Sequence, residues 1–263
     1  MDAMHSVNLL HSISGFLVGM LVGMTGVGGG SLMTPMLILV FGISPETAVG
    51  TDLLYASATK AIGTTVHGFA RSVDWQIVLR LAMGSIPATA ATIYGLTLLG
   101  PTSSDASALI TVVLGVALFF TAAALLFRDW ILRFYARHVT EIGHRRRNRA
   151  TIVTGVVLGV LVSISSVGAG ALGVTALFLL YPKLPMVRIV GSDIAHAVPL
   201  TLVAGIGHWF IGSVNWFLLG SLLIGSIPGI IVGSYLVTRI PEGVLRTLLS
   251  LVLTLVATRL FFV

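Results

Sequence analysis

The chain has 263 residues, of which 56% are hydrophobic and only 9% are charged, and its mean hydropathy is +1.03. A soluble globular domain of this size carries far more charge, so the composition excludes one and indicates a membrane protein. The net charge of +6 does not indicate nucleic-acid binding, because seven of the 15 Lys and Arg residues lie in one stretch, 128–149, and the absence of cysteine excludes disulfides and thiol chemistry.

Glycine, proline and charged residues divide the first half into apolar segments that we expect to be helical. The first covers 8–25, and the glycine-rich stretch 25–31 ends it, because consecutive glycines gain little from helix formation. A short segment follows at 30–42. The next three, 47–70, 74–99 and 105–127, are each long enough to span a bilayer.

The second half repeats this order after the polar stretch 128–149. Its segments cover 151–166, then, after a second glycine-containing break, 170–182, 186–211, 215–238 and 242–263. Residues 15–32 and 155–172 share eight of 18 positions, and 50–87 and 191–228 share 13 of 38. Membrane proteins built from such duplicated halves are typically transporters, with the substrate held where the halves meet.

The Lys and Arg residues of the short loops indicate how the chain is oriented, because positive charge is enriched on the cytoplasmic side. In the first half the loops near 43–47 and 100–105 carry none, whereas the loop at 71–73 and the stretch 128–149 are basic. In the second half the loops at 183–188 and 239–246 are basic and the loop at 212–215 is not. Equivalent loops thus lie on opposite sides, which predicts that the halves are inverted.

The same charges require residues 151–182 to enter and leave the membrane on one side, as a hairpin that is either re-entrant or made of two thin crossings. We therefore predict an all-α membrane protein of two inverted-topology repeats, each a glycine-broken helical hairpin plus three transmembrane helices. The repeats would cover 1–127 and 150–263, joined by a cytoplasmic linker at 128–149, with both termini outside. The alternative is four plain spans per half in parallel repeats, since each short loop carries only one or two charges.

The two glycine breaks form the first candidate substrate site. Irregular backbone is tolerated in a membrane only inside protein or beside a cavity, and free N–H groups at a helix N-terminus attract an anion. Glycine lets the backbone approach a ligand, and nearby hydroxyls add donors. The candidates are Gly26, Gly28, Gly29, Gly30, Ser31 and Thr34 in the first copy, and Ser165, Ser166, Gly168, Gly170 and Thr175 in the second. Tight helix packing by small residues is the alternative.

Lys60 lies near the middle of the segment 47–70, where burial of an ammonium costs about 3 kcal/mol or more. Thr64 and His67 share its helical face, and the second copy has Thr201 and His208 in the corresponding stretch. Lys60 would supply countercharge to an anion, and the histidines would gate or carry protons, because imidazole titrates near working pH. The alternatives are a snorkelling or ion-paired lysine and histidines that only pack or lie at the interface.

Asp52 and Asp193 lie in the sequences GTD and GSD, just inside the second span of each half. Stabilisation of a first-turn Asp by the helix dipole, or pairing with Lys60 or Arg188, is the interpretation that we prefer. Proton coupling is the second interpretation, and His196 joins that hypothesis because it follows Asp193 closely.

Pro87 and Pro228 lie inside predicted spans, where each removes one helical hydrogen bond and predicts a kink. Such a kink serves either as a hinge or gate or only as static shape. No zinc-ligand spacing, nucleotide-binding loop or nucleophile triad occurs in the sequence. We therefore expect neither an enzyme nor a protein that needs a metal or an organic cofactor.

The stretch GMLVGMTGVGGGSLMTPML (19–37), the GT at 50–51, SVDW (72–75) and GSIP (84–87), followed by a degenerate second copy, resemble the TauE/SafE family of sulfite and sulfonate exporters. The resemblance covers nearly the whole chain. It implies an inner-membrane permease that exports, or in some members takes up, sulfite, sulfoacetate and similar anions, without a cofactor. The chain departs from the family in having GTD where GTS is usual, and its second copy lacks equivalents of Gly26, Gly29 and Pro35.

These observations predict a multi-pass transporter of the cell membrane that exports small sulfur-containing anions such as sulfite or organosulfonates. Its partners would be that anion and the lipid bilayer, with a homo-oligomer and proton coupling both compatible with the sequence. Two alternatives remain open. One is a cation or metal carrier that uses Asp52, Asp193, His67 and His208, and the other is a membrane scaffold that transports nothing.

Overall fold

The fold comes from a computed structural model that describes residues 9–25, 30–68, 73–100, 103–128, 130, 143–236 and 242–260. The regular secondary structure of these residues is helical, as predicted. The helices are α1 Leu9–Thr25, α2 Gly30–Leu39, α3 Pro45–Gly68, α4 Trp75–Leu99, α5 Ser104–Leu126, α6 His144–Ser165, α7 Ala171–Leu180, α8 Met186–Phe210, α9 Trp216–Leu236 and α10 Glu242–Leu260. Helix α6 starts earlier than the sequence suggests, so residues 144–149 of the predicted linker are helical.

Six helices in the described part of the chain are long and apolar enough to cross a bilayer, namely α4, α5, α6, α8, α9 and α10. Helix α3 has 24 residues, about 36 Å at the helical rise, but it is less apolar than the six and carries Glu46, Asp52 and Lys60. The chain is thus an all-helical, multi-pass membrane protein.

The first segment of each half is interrupted. Helices α2 and α7 have 10 residues each, about 15 Å, or half of the hydrocarbon core, so neither crosses it alone. The break after α6 lies at Ser166–Gly170. The break after α1, which contains the predicted site residues Gly28 and Gly29 as well as Gly26, lies outside the described residues.

Glycine brings helices of different halves into backbone contact in two equivalent places. A Cβ on Gly84 of α4 would lie 2.1 Å from the carbonyl oxygen of Ile152 in α6, and one on Gly225 of α9 would lie 1.7 Å from that of Ser12 in α1. Gly84 and Gly225 are equivalent in the repeat. The two halves therefore interlock, because each places one of its helices directly on the first helix of the other.

Helices α3 and α8, which are equivalent in the repeat, pack against each other between these pairs. Their contacts run from Gly50 with His208, through Leu54 with Gly205, to Ser57 with Val198. Residue numbers rise along α3 while they fall along α8. The two equivalent helices therefore run antiparallel.

The outer faces of the bundle are apolar. Phe119 and Phe120 of α5 are 53% and 58% exposed, and Leu255 of α10 is 65% exposed. The inner faces of the same two helices pack Leu118 against Leu253 and their neighbours. Exposed apolar surface on this scale is what a lipid-facing helix presents.

We expect Gly225→Ala to lower the thermal unfolding midpoint of the detergent-purified protein, because the new Cβ would lie 1.7 Å from the Ser12 carbonyl oxygen. Overpacking of this kind costs about 1–3 kcal/mol. Gly220→Ala on the same helix is the matched control, since no atom lies within 4 Å of its Cβ position, and it should be neutral or slightly stabilising. Equal midpoints for the two variants would contradict the close packing of α1 on α9.

Candidate functional site

The break between α6 and α7 is a fully buried loop with an unusual backbone. Gly168 and Gly170 have φ angles of 128° and 130°, a region that glycine adopts readily and other residues rarely. Ser166 is also left-handed, with a φ of 59°. All residues from Ser163 to Ala171 are buried. The glycines of this copy therefore allow the backbone conformation of the loop, at the place where the sequence predicted a break.

A buried loop needs partners for its backbone polar groups. The N–H groups of Gly173 and Val174 donate to the carbonyls of Gly168 and Gly170, at 3.1 and 2.8 Å. The carbonyl oxygen of Ala169 instead accepts a hydrogen bond from the Lys60 ammonium at 3.1 Å. Lys60, from α3 of the first half, thus supplies a hydrogen-bond donor to the glycine break of the second half.

Lys60 also interacts electrostatically with two buried carboxylates, Asp52 on its own helix and Asp193 on α8. Both aspartates are 0% exposed. We call Asp52, Lys60 and Asp193 the charge cluster. The helix-dipole interpretation of the aspartates is wrong, because the first turn of α3 holds Glu46 as its acidic residue and that of α8 holds none. Both aspartates interact electrostatically with Lys60, and direct pairing of either one with the ammonium stays a prediction.

The two carboxylates of the charge cluster have different surroundings. The Thr34 hydroxyl of α2 donates to Asp52 Oδ2 at 2.5 Å, and the Ser166 hydroxyl lies near the same carboxylate. Asp52 Oδ1 and Ser166 Oγ form no hydrogen bond with the described residues. Asp52 therefore receives a hydroxyl from its own half and faces a second hydroxyl from the opposite break.

Asp193 lies against the first turn of α7. A Cβ on Gly173 would lie 2.0 Å from Asp193 Oδ1, so only glycine leaves room for the carboxylate there. The backbone N–H of Gly170 is close to Asp193, but neither carboxylate oxygen makes a hydrogen bond within the described part of the chain. Asp193 is therefore a buried acid that has few donors.

His196 lies beside the charge cluster and was only a secondary candidate in the sequence. Its Nε2 atom forms a 2.8 Å hydrogen bond with the Ser85 hydroxyl, which belongs to the GSIP stretch of α4. Its Nδ1 atom is buried and has no partner among the described residues. The side chain interacts with the charge of Lys60, so it belongs to the surroundings of the cluster.

Arg188 pairs with Asp74 at 3.2 Å, not with a buried aspartate. Asp74 also caps α4, and its N–H donates to the Ser192 hydroxyl at 2.8 Å. In the other half the N–H of Asn215 donates to the Thr51 hydroxyl at 3.0 Å. The hydroxyl of each GTD or GSD motif thus accepts a hydrogen bond from the backbone N–H just before a helix of the opposite half. The joint recurrence of these motifs with SVDW and SVNW is the signal that could have predicted this contact.

His208 lies away from the charge cluster. It is in the last turn of α8, 15 positions after Asp193 and so about 22 Å along the helix. Its ring Nε2 atom contacts the Ser163 carbonyl oxygen at 2.9 Å, and it lines a narrow crevice together with Glu46. Glu46, which the sequence analysis placed in a loop, is buried and accepts the Ser107 hydroxyl.

The other predicted site residues are dispersed. The Thr201 hydroxyl bonds to the Ala197 carbonyl of its own helix at 2.8 Å, and the Ser165 hydroxyl bonds to that of Leu161 at 2.7 Å. Pro87 and Pro228 lie inside α4 and α9 with exposed rings. Among the described residues, none of these four side chains forms a hydrogen bond with a member of the charge cluster.

The first glycine break is described only from α2 onward. Gly30 is the first residue of that helix, and Ser31 is buried on it. Thr64 and His67 lie in α3, but their side chains fall outside the described part of the structure. Their predicted place on the face of Lys60 stays a prediction.

The sequence matches the family described as Sulfite exporter TauE/SafE over residues 12–260. The chain belongs to the TauE/SafE family. The resemblance seen in the motifs is thereby confirmed, and with it membership of a family of transporters and not of enzymes.

Relatives of this TauE/SafE chain occur in bacteria and archaea. It is 39% identical over 212 residues to "Probable membrane transporter protein YjnA" of Bacillus subtilis, which covers 80% of this chain and 83% of the relative. It is 29% identical over 208 residues to "Probable membrane transporter protein YdhB" of the same organism, with 79% and 81% covered. The archaeal "Probable membrane transporter protein MJ0441" of Methanocaldococcus jannaschii is 26% identical over 212 residues, with 78% and 73% covered. No solved structure matches the chain.

Thr34→Val should destabilise this TauE/SafE protein, because it removes the hydroxyl that donates to the buried Asp52. Loss of a donor to a buried acceptor costs about 1–3 kcal/mol, which a thermal unfolding midpoint in detergent would report. Thr175→Val in the short helix of the second half is the control, because its hydroxyl bonds to the Ala171 carbonyl one turn earlier. If both variants shifted the midpoint equally, the Thr34–Asp52 bond would carry no stability.

Proposed function

We propose that this TauE/SafE protein exports small sulfur-containing anions, such as sulfite or an organosulfonate, across the cell membrane. The family description supports the substrate class. The single observation that carries the proposal is the position of Lys60, a cation inside the bundle that bonds to the broken backbone of the opposite half. A buried ammonium is costly in a membrane protein, and such residues mark substrate or ion pathways.

The anion would bind where Lys60 meets the start of α7. Lys60 holds the carbonyl of Ala169, which directly precedes Gly170 and the first N–H groups of that helix. The N–H groups of Gly173 and Val174 already donate to the loop, so the anion would meet the N–H groups of Ala171 and Leu172, where the helix dipole favours it. The buried Ser166 hydroxyl, which lies near Asp52, is a further donor at this place. The anion would thus face a cation, backbone amides and a hydroxyl.

We further propose that the halves, with the boundaries given above, are inverted and that transport is a rocking of one against the other. The antiparallel course of α3 and α8 supports the inversion. The ion pair of Arg188 with Asp74 supports it too, because it joins the turn after α3 to the loop before α8, both of which are basic loops. In this arrangement the basic stretch 128–149 is cytoplasmic and the chain termini lie outside.

A cation carrier is the second candidate function. Two carboxylates and one ammonium leave the charge cluster with more negative than positive groups, which favours a cation over an anion. Against a metal ion, no three His, Asp or Glu side chains converge as ligands within the described ranges. His208 in particular lies far from Asp193 along α8.

Lys60→Ala should reduce sulfite flux into proteoliposomes at least about tenfold, because it removes the cation that would bind the anion; a tenfold loss corresponds to about 1.4 kcal/mol. Lys183→Ala is the matched control, since Lys183 is exposed at the loop before α8 and its removal should leave flux unchanged. Unchanged sulfite flux with altered metal-ion flux in Lys60→Ala would favour the cation carrier. Absence of flux for any anion tested on the wild-type protein would favour the scaffold.

The inverted arrangement can be tested directly, because the chain has no cysteine. We expect a membrane-impermeant thiol reagent added outside cells to label Ser44→Cys, in the loop before α3, and not Lys183→Cys. Both positions are exposed. After membrane disruption both variants should label, which controls for reactivity. Labelling of both from the same side would exclude inversion.

A further inference from the structure

The charge cluster is unbalanced. With all three groups ionised, Asp52 and Asp193 contribute two negative charges and Lys60 one positive charge. The titratable groups beside them are His196, which is hydrogen-bonded to Ser85, and Tyr55, which is buried on α3 near Asp52. A proton on His196 would place a second cation beside Lys60 in buried surroundings. Among the described residues, therefore, the cluster holds one uncompensated negative charge.

Of the two carboxylates, Asp193 has the fewer hydrogen-bond donors to stabilise its negative charge. Asp52 receives the Thr34 hydroxyl at 2.5 Å and faces the Ser166 hydroxyl. Asp193 is 0% exposed, and neither of its oxygens has a hydrogen bond in the described structure. The backbone N–H of Gly170 is the one donor close to it among the described residues, and a buried ionised carboxylate with so few donors is far more costly than a neutral one. Asp193 is therefore the member of the cluster that gains most from binding a proton.

An anion bound at Lys60 makes ionised Asp193 still less favourable relative to protonated Asp193. Two like charges that lie close together in buried surroundings repel each other more strongly than they would in water. Ionised Asp193 would therefore compete with the anion for the one ammonium of the cluster. Protonated Asp193 would not compete, and its O–H group would offer a further donor to the anion.

We propose that Asp193 takes up one proton whenever an anion binds beside Lys60, so that anion and proton cross the membrane together. This inference rests on the proposed anion transport. After release of both, Lys60 and Asp193 pair again in the empty carrier. A divalent anion that moves with one proton carries one net negative charge, and the inside-negative membrane potential drives it outward, which agrees with export.

The test uses the full-length protein in liposomes with a pH-sensitive dye trapped inside. Thiosulfate and sulfoacetate are the probes, because both stay divalent over the working pH range and carry no proton themselves. For the wild-type protein we expect inward anion flux to acidify the lumen by one proton per anion. The reversal potential of the flux should shift with the pH gradient.

Asp193→Asn separates the proton from the anion, because the amide has the shape of a protonated carboxyl group and cannot release a proton. We expect it to retain anion counterflow and to lose the acidification at least about tenfold. Asp105→Asn is the matched control, an exposed carboxylate in the first turn of α5, and should acidify the lumen as the wild-type protein does.

Each result bears on the inference. Wild-type anion flux without proton movement would overturn it and leave the proposed function standing, whereas wild-type protein that moves no anion would overturn the proposed function itself. Acidification that persists in Asp193→Asn would also overturn it, as would a folded Asp193→Asn protein without counterflow. If that variant does not fold, the wild-type reversal potential decides, and its independence of the pH gradient would overturn proton coupling.

Discussion

The pairing of Lys60 with groups from both halves is the interaction around which this structure is arranged. An ammonium in a membrane bundle is tolerated only with charged or carbonyl partners. Here Lys60 donates to the Ala169 carbonyl in the break of the second half, and it interacts electrostatically with Asp52 on the same helix and Asp193 on α8. The irregular backbone at the break can in turn be buried because a donor from the other half reaches it. The hydrogen bond between Lys60 and Ala169 thus gives a partner both to the ammonium and to the irregular backbone, two groups that are costly to bury.

The rest of the bundle holds these groups in place with backbone contacts. Glycines let α4 lie on α6 and α9 lie on α1 at distances that any Cβ would prevent. Each pair therefore joins a helix of one half closely to a helix of the other, while α3 and α8 cross between them with hydroxyl and carbonyl contacts. The charge cluster lies on those two helices.

The sequence predicted the helices and the break between α6 and α7 well, because hydropathy and glycine act locally. It failed where contacts join distant residues. The start of α6 was missed since the basic residues 144–149 are equally suited to a loop. The sequence analysis offered Arg188 as a partner of a buried aspartate, but Arg188 pairs with the partly exposed Asp74. Glu46 was placed in a loop, although it is buried against Ser107. His208 was grouped with Lys60 through the repeat, but the repeat relates positions and does not say which of them meet. The electrostatic interaction of Lys60 with both aspartates could be anticipated only because membrane-buried charge demands a partner.

The duplication also explains why the two carboxylates differ. An ancestral pair of equal halves would give each aspartate the same surroundings, and two equal acids facing each other would share their charge and proton equally. In this chain the first half supplies Lys60 and the Thr34 hydroxyl, whereas the second has Thr201 at the lysine position and Gly173 against its carboxylate. The donors therefore collect around Asp52, and Asp193 is left with the lysine and little else. Loss of symmetry in a few side chains, with the backbone repeat retained, is enough to give two equivalent acids different surroundings.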